Sequence, residues 1–209
     1  VGAEALLQLA DVRGCQPELI AALKMMTVIA RGPKPVAVLH RYGIECDLKA
    51  PEPNTWREVL TVMEQSGMSF SGSNLAVQEY GVPNPRFNDA LTARGVHVVP
   101  VPVYRWALPD DIGPLNAAID QVIQAQIDVL MFTSANQVAT VLQIAEGRGL
   151  RNQFCQAAAQ CLVASVGPTC SEMLSDMGFV VGFEASPPKM GPLVRGAVET
   201  WTQLRQAEQ

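Results

Sequence analysis

One register constrains this chain more than any other feature: a segment near its start recurs at a shift of 135 residues. Leu7-Gln8-Leu9-Ala10-Asp11-Val12-Arg13-Gly14 lies over Leu142-Gln143-Ile144-Ala145-Glu146-Gly147-Arg148-Gly149. The same shift puts Val28 on Val163, Gly32-Pro33 on Gly167-Pro168 and Leu39 on Leu174. It also puts Gly43 on Gly178, Ala50 on Ala185 and Pro53 on Pro188. A register held from residue 7 to residue 53 without a gap marks a duplicated supersecondary unit.

Within each copy, apolar runs of strand length alternate with helical patterns. Ile127–Phe132 is a continuous apolar run broken only by Asp128, as expected of a parallel strand covered on both faces. Thr133-Ser134 follows as an N-cap signal, then a helix from Asn136 to about Glu146, closed near Gly147 and Gly149. The pattern continues with a short helix near Asn152–Ala159, strand Cys161–Val166, helix Thr169–Met177, strand Phe179–Phe183 and a long helix Lys189–Gln206. The first copy predicts helix Ala3–Val12, strand Met26–Ala30, helix Pro35–Tyr42, strand Ile44–Lys49 and a helix capped by Asn54 or Thr55. Strand Asn74–Glu79, helix Pro85–Arg94 and strand Val96–Val103 come next, and Asp110-Asp111 begins a helix. Strands joined by helices imply a doubly wound parallel sheet.

The register also implies missing material. Two full copies would need about 270 residues, so about 60 are expected before Val1. The predicted fold is α/β, with two similar doubly wound, flavodoxin-like lobes joined by two crossing strands and the N-terminal part of the fold missing. The first lobe spans 1–100, a crossing strand 101–106 and the second lobe 107–209, with a cleft expected between the lobes.

Composition narrows the function classes. The chain is 48% hydrophobic and 17% charged, so it buries a core, and its net charge of −5 argues against nucleic-acid binding. No apolar run approaches the ~20 residues of a membrane span. Five cysteines, odd in number and without Cys-x-x-Cys spacing, read as reduced thiols of a cytoplasmic protein. No Walker loop, dinucleotide-binding glycine pattern, nucleophile elbow or metal-spaced cluster occurs, so neither cofactor nor metal is expected.

Five segments, in this order, resemble one family: Ala30-Arg31-Gly32-Pro33-Lys34-Pro35, Val77-Gln78-Glu79-Tyr80-Gly81, Val101-Pro102-Val103-Tyr104-Arg105-Trp106, Phe132-Thr133-Ser134 and Ser165-Val166-Gly167-Pro168-Thr169. Together they are similar to uroporphyrinogen-III synthase, a cyclising hydro-lyase of tetrapyrrole and heme biosynthesis. The resemblance implies closure of hydroxymethylbilane, a linear tetrapyrrole, to uroporphyrinogen III with inversion of ring D through a spiro intermediate and loss of water. It further implies a monomeric enzyme whose partner is that small molecule, held between two lobes.

The resemblance implies a role for Tyr104 in departure of the substrate hydroxyl. A phenol is protonated at neutral pH and can donate to a leaving group, so Tyr104→Phe should slow the reaction without abolishing it. A tyrosine packed at a hinge is the alternative. The turns at Gly32-Pro33-Lys34 and Gly167-Pro168-Thr169 lie between strand ends and helix starts, where free amides and the helix dipole favour anions. The implied substrate carries carboxylates, so Arg31, Gly32, Lys34, Gln78, Tyr80, Thr133, Ser134, Ser165, Gly167, Thr169, Cys170 and Ser171 are the expected contacts. Plain helix capping accounts for several of these residues equally well. Cys170 departs from the family, which usually has a second threonine there. Arg86, Arg105 and Lys189 are further candidate cations, and His40 and His97 read as structural. A two-lobed solute-binding or ligand-sensing protein without catalysis stands as the other class, since the fold alone does not separate them. Fusion to a methyltransferase or a DNA-binding domain is a third possibility.

Overall fold

The structure, a computed structural model, describes residues 2–79, 81, 83–103 and 107–207. Two compact units divide the chain, Val1–Trp106 and Ala107–Gln209. The first contains α1 (Gly2–Val12), α2 (Gln16–Met25), β1 (Ile29–Ala30), α3 (Pro33–Arg41), β2 (Leu48–Lys49), α4 (Trp56–Gln65), β3 (Asn74–Glu79), α5 (Pro85–Thr92) and β4 (His97–Pro102). The second contains α6 (Gly113–Ile123), β5 (Val129–Phe132), α7 (Ala135–Gly147), α8 (Arg151–Ala158), β6 (Leu162–Ser165), α9 (Pro168–Asp176), β7 (Phe183–Glu184) and α10 (Met190–Ala207). This is a mixed α/β chain with short parallel sheets.

In the second unit the sheet order is β5-β6-β7, all parallel, with Phe132 opposite Ser165 and Ser165 opposite Glu184. All four residues of β6 are buried, which explains its small and apolar sequence. Above and below lie two clusters. One gathers Val138, Leu142, Phe154, Leu174 and Phe179, with the Phe154 and Phe179 rings edge to face at 6.4 Å. The other joins Ala164, Ala185, Leu193 and Ala197 beneath α10. There α10 lies so close to β7 that a Cβ on Gly196 would stand 2.1 Å from the Phe183 ring.

The first unit holds two separate two-stranded sheets among the described residues rather than one continuous sheet. β3 pairs with β4 from Asn74–His97 through Glu79–Pro102. Pro100 and Pro102 donate nothing to a ladder, and they suit β4 as an edge strand. β1 and β2 share only two residue pairs, Ile29–Leu48 and Ala30–Lys49. Thr55, not Asn54, caps α4. Its hydroxyl accepts from the Arg57 amide at 3.2 Å, while its own amide and hydroxyl both donate to the Glu58 carboxylate. Asn54 has a positive φ of 60° and, with its amide turned, donates to the carbonyls of Arg31 and Ala50.

The elements recur at the shift of 135. α3 and α9 coincide residue for residue, as do β2 and β7, and α1 ends on the counterpart of the last residue of α7. The left-handed glycines Gly14 and Gly43 fall on Gly149 and Gly178, which also have positive φ.

Several expected boundaries differ. β7 begins at Phe183 rather than Phe179, because Phe179 is a buried core plug and Val180 is exposed, so that apolar run packs without pairing. β2 is shorter than Ile44–Lys49 for the same reason, Ile44 being buried outside the ladder, whereas β1 is shorter than Met26–Ala30 because Met26 is the exposed C-cap of α2. α2, unforeseen in the first copy, matches α8 in the second. Asp110-Asp111 precede the helix rather than begin it, and the Asp111 carboxylate accepts the Gly113 amide at 2.8 Å.

Candidate functional site

The expected residues of the second unit converge on one edge of one sheet. β5 and β6 are neighbours, and their carboxyl ends lead into α7 and α9 through the turns at Thr133-Ser134 and Val166-Gly167. The Val166 amide donates to the Phe132 carbonyl at 3.0 Å, which fixes the two turns side by side. The carboxyl edge of a parallel sheet is where such folds bind ligands.

The α9 turn is tightly organised. Ser165, fully buried, accepts the Gly167 amide at 3.1 Å, donates to the Gly167 carbonyl at 2.9 Å and lies 2.7 Å from the Ser171 hydroxyl. A serine has one proton to give, so when Ser165 donates to Gly167 the Ser171 hydroxyl donates to Ser165. The Gly167 carbonyl also accepts the Cys170 and Ser171 amides, both at 3.0 Å. Gly167 is glycine because of close approach: a Cβ there would stand 2.7 Å from the Pro188 Cβ.

This network corrects the expected contact set. The Gly167 amide is taken by Ser165, and Pro168 has none. Among the described residues, the Thr169 amide is the one early donor of α9 without a protein acceptor, and the Thr169 side chain is exposed. Ser165 and Cys170 point inward and do not present their side chains to a ligand. Cys170 is 2% exposed, and its thiol faces the Phe132 carbonyl at 3.6 Å. Burial pushes this thiol up from its ordinary value. Its bonds with Val166 and Ser165 pull the other way, and the nearby Glu184 charge adds to the rise.

Ser134 caps α7, accepting the Gln137 amide at 3.4 Å. The Gln137 carbonyl oxygen reaches back to accept both the Thr133 amide at 2.8 Å and the Thr133 hydroxyl at 3.0 Å. Sequence reading missed Gln137, although a glutamine three residues after a serine cap is the signal that would have found it.

The first unit presents a turn of different chemistry. Gly32, buried, precedes α3, and a Cβ there would meet the Asn54 side chain at 2.8 Å. Pro33 and Pro35 remove two of the first amides of the helix. What the turn offers instead is cationic: Arg31 and Lys34 are exposed, have no acidic partner among the described residues, and sit at the positive end of a helix dipole. Cations there are unfavourable for the helix itself, so the arrangement favours an external anion. Gln78 is the penultimate residue of β3; its side chain donates to the Glu79 carbonyl and lies against Gly2 of α1, with no bond to the Arg31–Lys34 turn. His40, His97 and Lys189 are exposed. Tyr104, Tyr80 and Arg105 lie outside the described residues.

A shallow depression lined by Leu23, Lys24, Met26, Gly43, Glu45 and Asp47 opens elsewhere, at the amino ends of β1 and β2. It contains none of the expected residues, and its mixed charges and opposite edge make it a poor counterpart to the turns above. Among the described residues no group of three His, Cys, Asp or Glu side chains is placed to hold a metal ion. All five cysteines are free thiols, and among the described residues no helix is long and apolar enough to cross a membrane.

Comparison with known proteins gives this arrangement its context. The family model described as Uroporphyrinogen-III synthase HemD matches residues 1–195. An uncharacterized protein, YjjA of Bacillus subtilis, is 25% identical over 195 residues, covering 93% of this chain and 71% of its own length. A putative uroporphyrinogen-III synthase of Methanothermobacter thermautotrophicus is 26% identical over 147 residues, covering 70% of this chain and 56% of its own length. A crystal structure of uroporphyrinogen III synthase from Thermus thermophilus superposes with a TM-score of 0.69 at 22% identity, covering 97% of this chain and 75% of that one. A second Thermus thermophilus structure gives 0.53 at 24% identity, over 95% of this chain and 74% of that one. At these identities the structural likeness speaks for the fold, and the family match speaks for descent. The chain belongs to the uroporphyrinogen-III synthase family.

Proposed function

We propose that this chain cyclises hydroxymethylbilane to uroporphyrinogen III, as a cytoplasmic monomer that needs neither metal nor cofactor. The observation that carries the proposal is the family match over residues 1–195. In support, the turns at the carboxyl ends of the strands are built to take carboxylates by two different means. Arg31 and Lys34 offer charge, whereas Thr169 offers an amide and a hydroxyl. With a net charge of −5 the protein does not attract a polyanion globally, so local donors must hold it.

In the proposed reaction the terminal hydroxyl of the substrate leaves as water, taking a proton supplied by Tyr104; the N–H of the pyrrole that bore it returns a proton to the phenolate, and a neutral azafulvene results. The substituted carbon of ring D attacks it to give the spiro intermediate. Cleavage of the old bond to ring D makes a second azafulvene, and reclosure on it at the free carbon of ring D, whose proton passes to the azafulvene nitrogen, then inverts that ring. The side chains of the two turns bind and orient the acetate and propionate groups; they form no covalent bond.

The test is to supply the full chain with hydroxymethylbilane and separate the product isomers. Uroporphyrinogen III is expected, formed more slowly by Tyr104→Phe. Uroporphyrinogen I alone, the spontaneous product, overturns the proposal, and tight binding of the tetrapyrrole without turnover would favour a ligand-sensing protein instead.

A further inference from the structure

We infer that the outer face of α1 and α2 is the docking surface for one amphipathic helix of the α6 pattern, supplied by the polypeptide expected ahead of Val1. The inference stands apart from the activity proposed above. The duplication pairs each residue of the first unit with a counterpart 135 positions on. From Glu4 to Arg13 the burial follows that of the α7 region position by position. Leu7 and Leu142 are buried, Ala10 and Ala145 are buried, and Gln8 and Gln143 are exposed. Leu9 breaks the agreement, at 47% exposed against 7% for Ile144. α2 shows the same difference. Leu19 and Leu23, four residues apart on one helix face, are half-buried, whereas their counterparts Phe154 and Ala158 are buried.

The second unit shows what covers such a face. α6 packs on both α7 and α8, and its buried Ile119 and Val122 join the cluster that holds Ile144, Phe154 and Ala158. The first unit keeps the counterparts of α8 and α9 beside α1, in α2 and α3; a counterpart of α6 is what its described residues lack. The charges agree. The Arg148 guanidinium donates to the Asn116 carbonyl at 3.2 Å, the Asn116 side chain at 3.4 Å and the Asp120 carboxylate at 2.7 Å, so it clasps α6. Arg13, in the same register, is exposed and has no acidic partner among the described residues. The occupant therefore carries two apolar residues and an acid, as α6 does with Ile119, Val122 and Asp120. The register places it about 13 to 23 residues ahead of Val1. Three leucines and an arginine fall well short of the roughly 800 Å² per partner of a standard interface, which disfavours a second copy. A helix tethered to the same chain needs less, because its effective concentration is on the order of millimolar.

The test supplies such a helix in register. Val1 lies on Asn136, so a copy of Asp111–Ala135 joined to Val1 continues the repeat. Hydrogen exchange read by mass spectrometry should show the α1 and α2 amides protected at least about 10-fold more than in the unextended chain, and a scrambled copy should protect nothing. Arg13→Ala should remove about 2- to 5-fold of that protection in the extended chain and change nothing in the unextended one. If the extended chain precipitates, a synthetic Asp111–Gln124 peptide added to the unextended chain must protect the same amides, again less in Arg13→Ala. Equal protection by the scrambled copy, protection indifferent to Arg13, or none from either probe overturns the inference. So does a dimer of the unextended chain that Leu9→Asp dissociates, since a second copy would then be the occupant.

Discussion

Gly167→Ala puts the close approach at the α9 turn to a direct test. A Cβ at this position would stand 2.7 Å from the Pro188 Cβ, about 1 Å inside the separation at which two carbons attract. Neither partner is free to yield. Gly167 is held through its amide by Ser165 and through its carbonyl by Ser165, Cys170 and Ser171. The segment bearing Pro188 is tied at one end by the Ala185 amide on the Ser165 carbonyl, and at the other by the Leu193 amide on the Lys189 carbonyl. Overpacking of this kind costs about 1–3 kcal/mol, and the loss of unfolded-state freedom returns at most about 1 kcal/mol. A net destabilisation of about 1–2 kcal/mol follows. Gly191 of α10 supplies the control, because nothing lies within 4 Å of a Cβ built there. Gly191→Ala should stabilise by up to about 1 kcal/mol. Urea denaturation followed by circular dichroism measures both. If Gly167→Ala is neutral, or if the two variants shift together, glycine is not at position 167 for want of space and the reasoning fails.

Two further outcomes can be checked. Thr55→Val should destabilise by about 1–2 kcal/mol at pH 7, through the lost cap and the lost bond to Glu58. Burial alone would raise the Glu58 carboxyl, but bonds from the Thr55 hydroxyl and amide and the Arg57 charge together hold it below the ordinary range. Its contribution is thus complete above the unfolded value of about 4.3 and is lost as pH falls through the lower folded value. The deficit of Thr55→Val should accordingly shrink in urea titrations repeated near pH 3; a deficit that does not change with pH would show that Glu58 is not its source. The double variant Arg31→Ala/Lys34→Ala should raise KM about 2- to 10-fold at low salt, less at high salt, without loss of stability, because both charges are exposed and oppose the α3 dipole. A KM that ignores both the substitutions and the salt would remove these residues from the site.

The sequence was most legible where burial and hydrogen bonding agree. β3 spans Asn74–Glu79 as predicted, and Ser134 caps α7 as the Thr-Ser pair suggests. Where burial occurs without pairing, an apolar pattern overstates the strand. Ile44 and Phe179 are buried plugs that precede their ladders, so β2 and β7 both came out shorter and later than the pattern implies. α2 was hidden because none of its residues is fully buried, which leaves little periodic signal; its match to α8 at the shift of 135 was the available clue. At the site, residue types identified the turns but not the direction of each side chain. Ser165 and Cys170 look like donors in the sequence, yet one is consumed by Gly167 and the other by the core. Gln137 looked like an ordinary helix residue, since its meaning lies in the fold-back of a flexible side chain onto Thr133.

The inward turn of Cys170 has a chemical consequence. Alkylating reagents and peroxides attack thiolates they can reach, and this sulfur is both shielded and held in its protonated form. Cys15, by contrast, is exposed at the start of α2. A maleimide should therefore mark Cys15 in the native protein and reach Cys170 only after α9 has lifted from β6. The molecule thus carries its own clock for the opening of its second unit, read from the order in which its sulfurs become labelled.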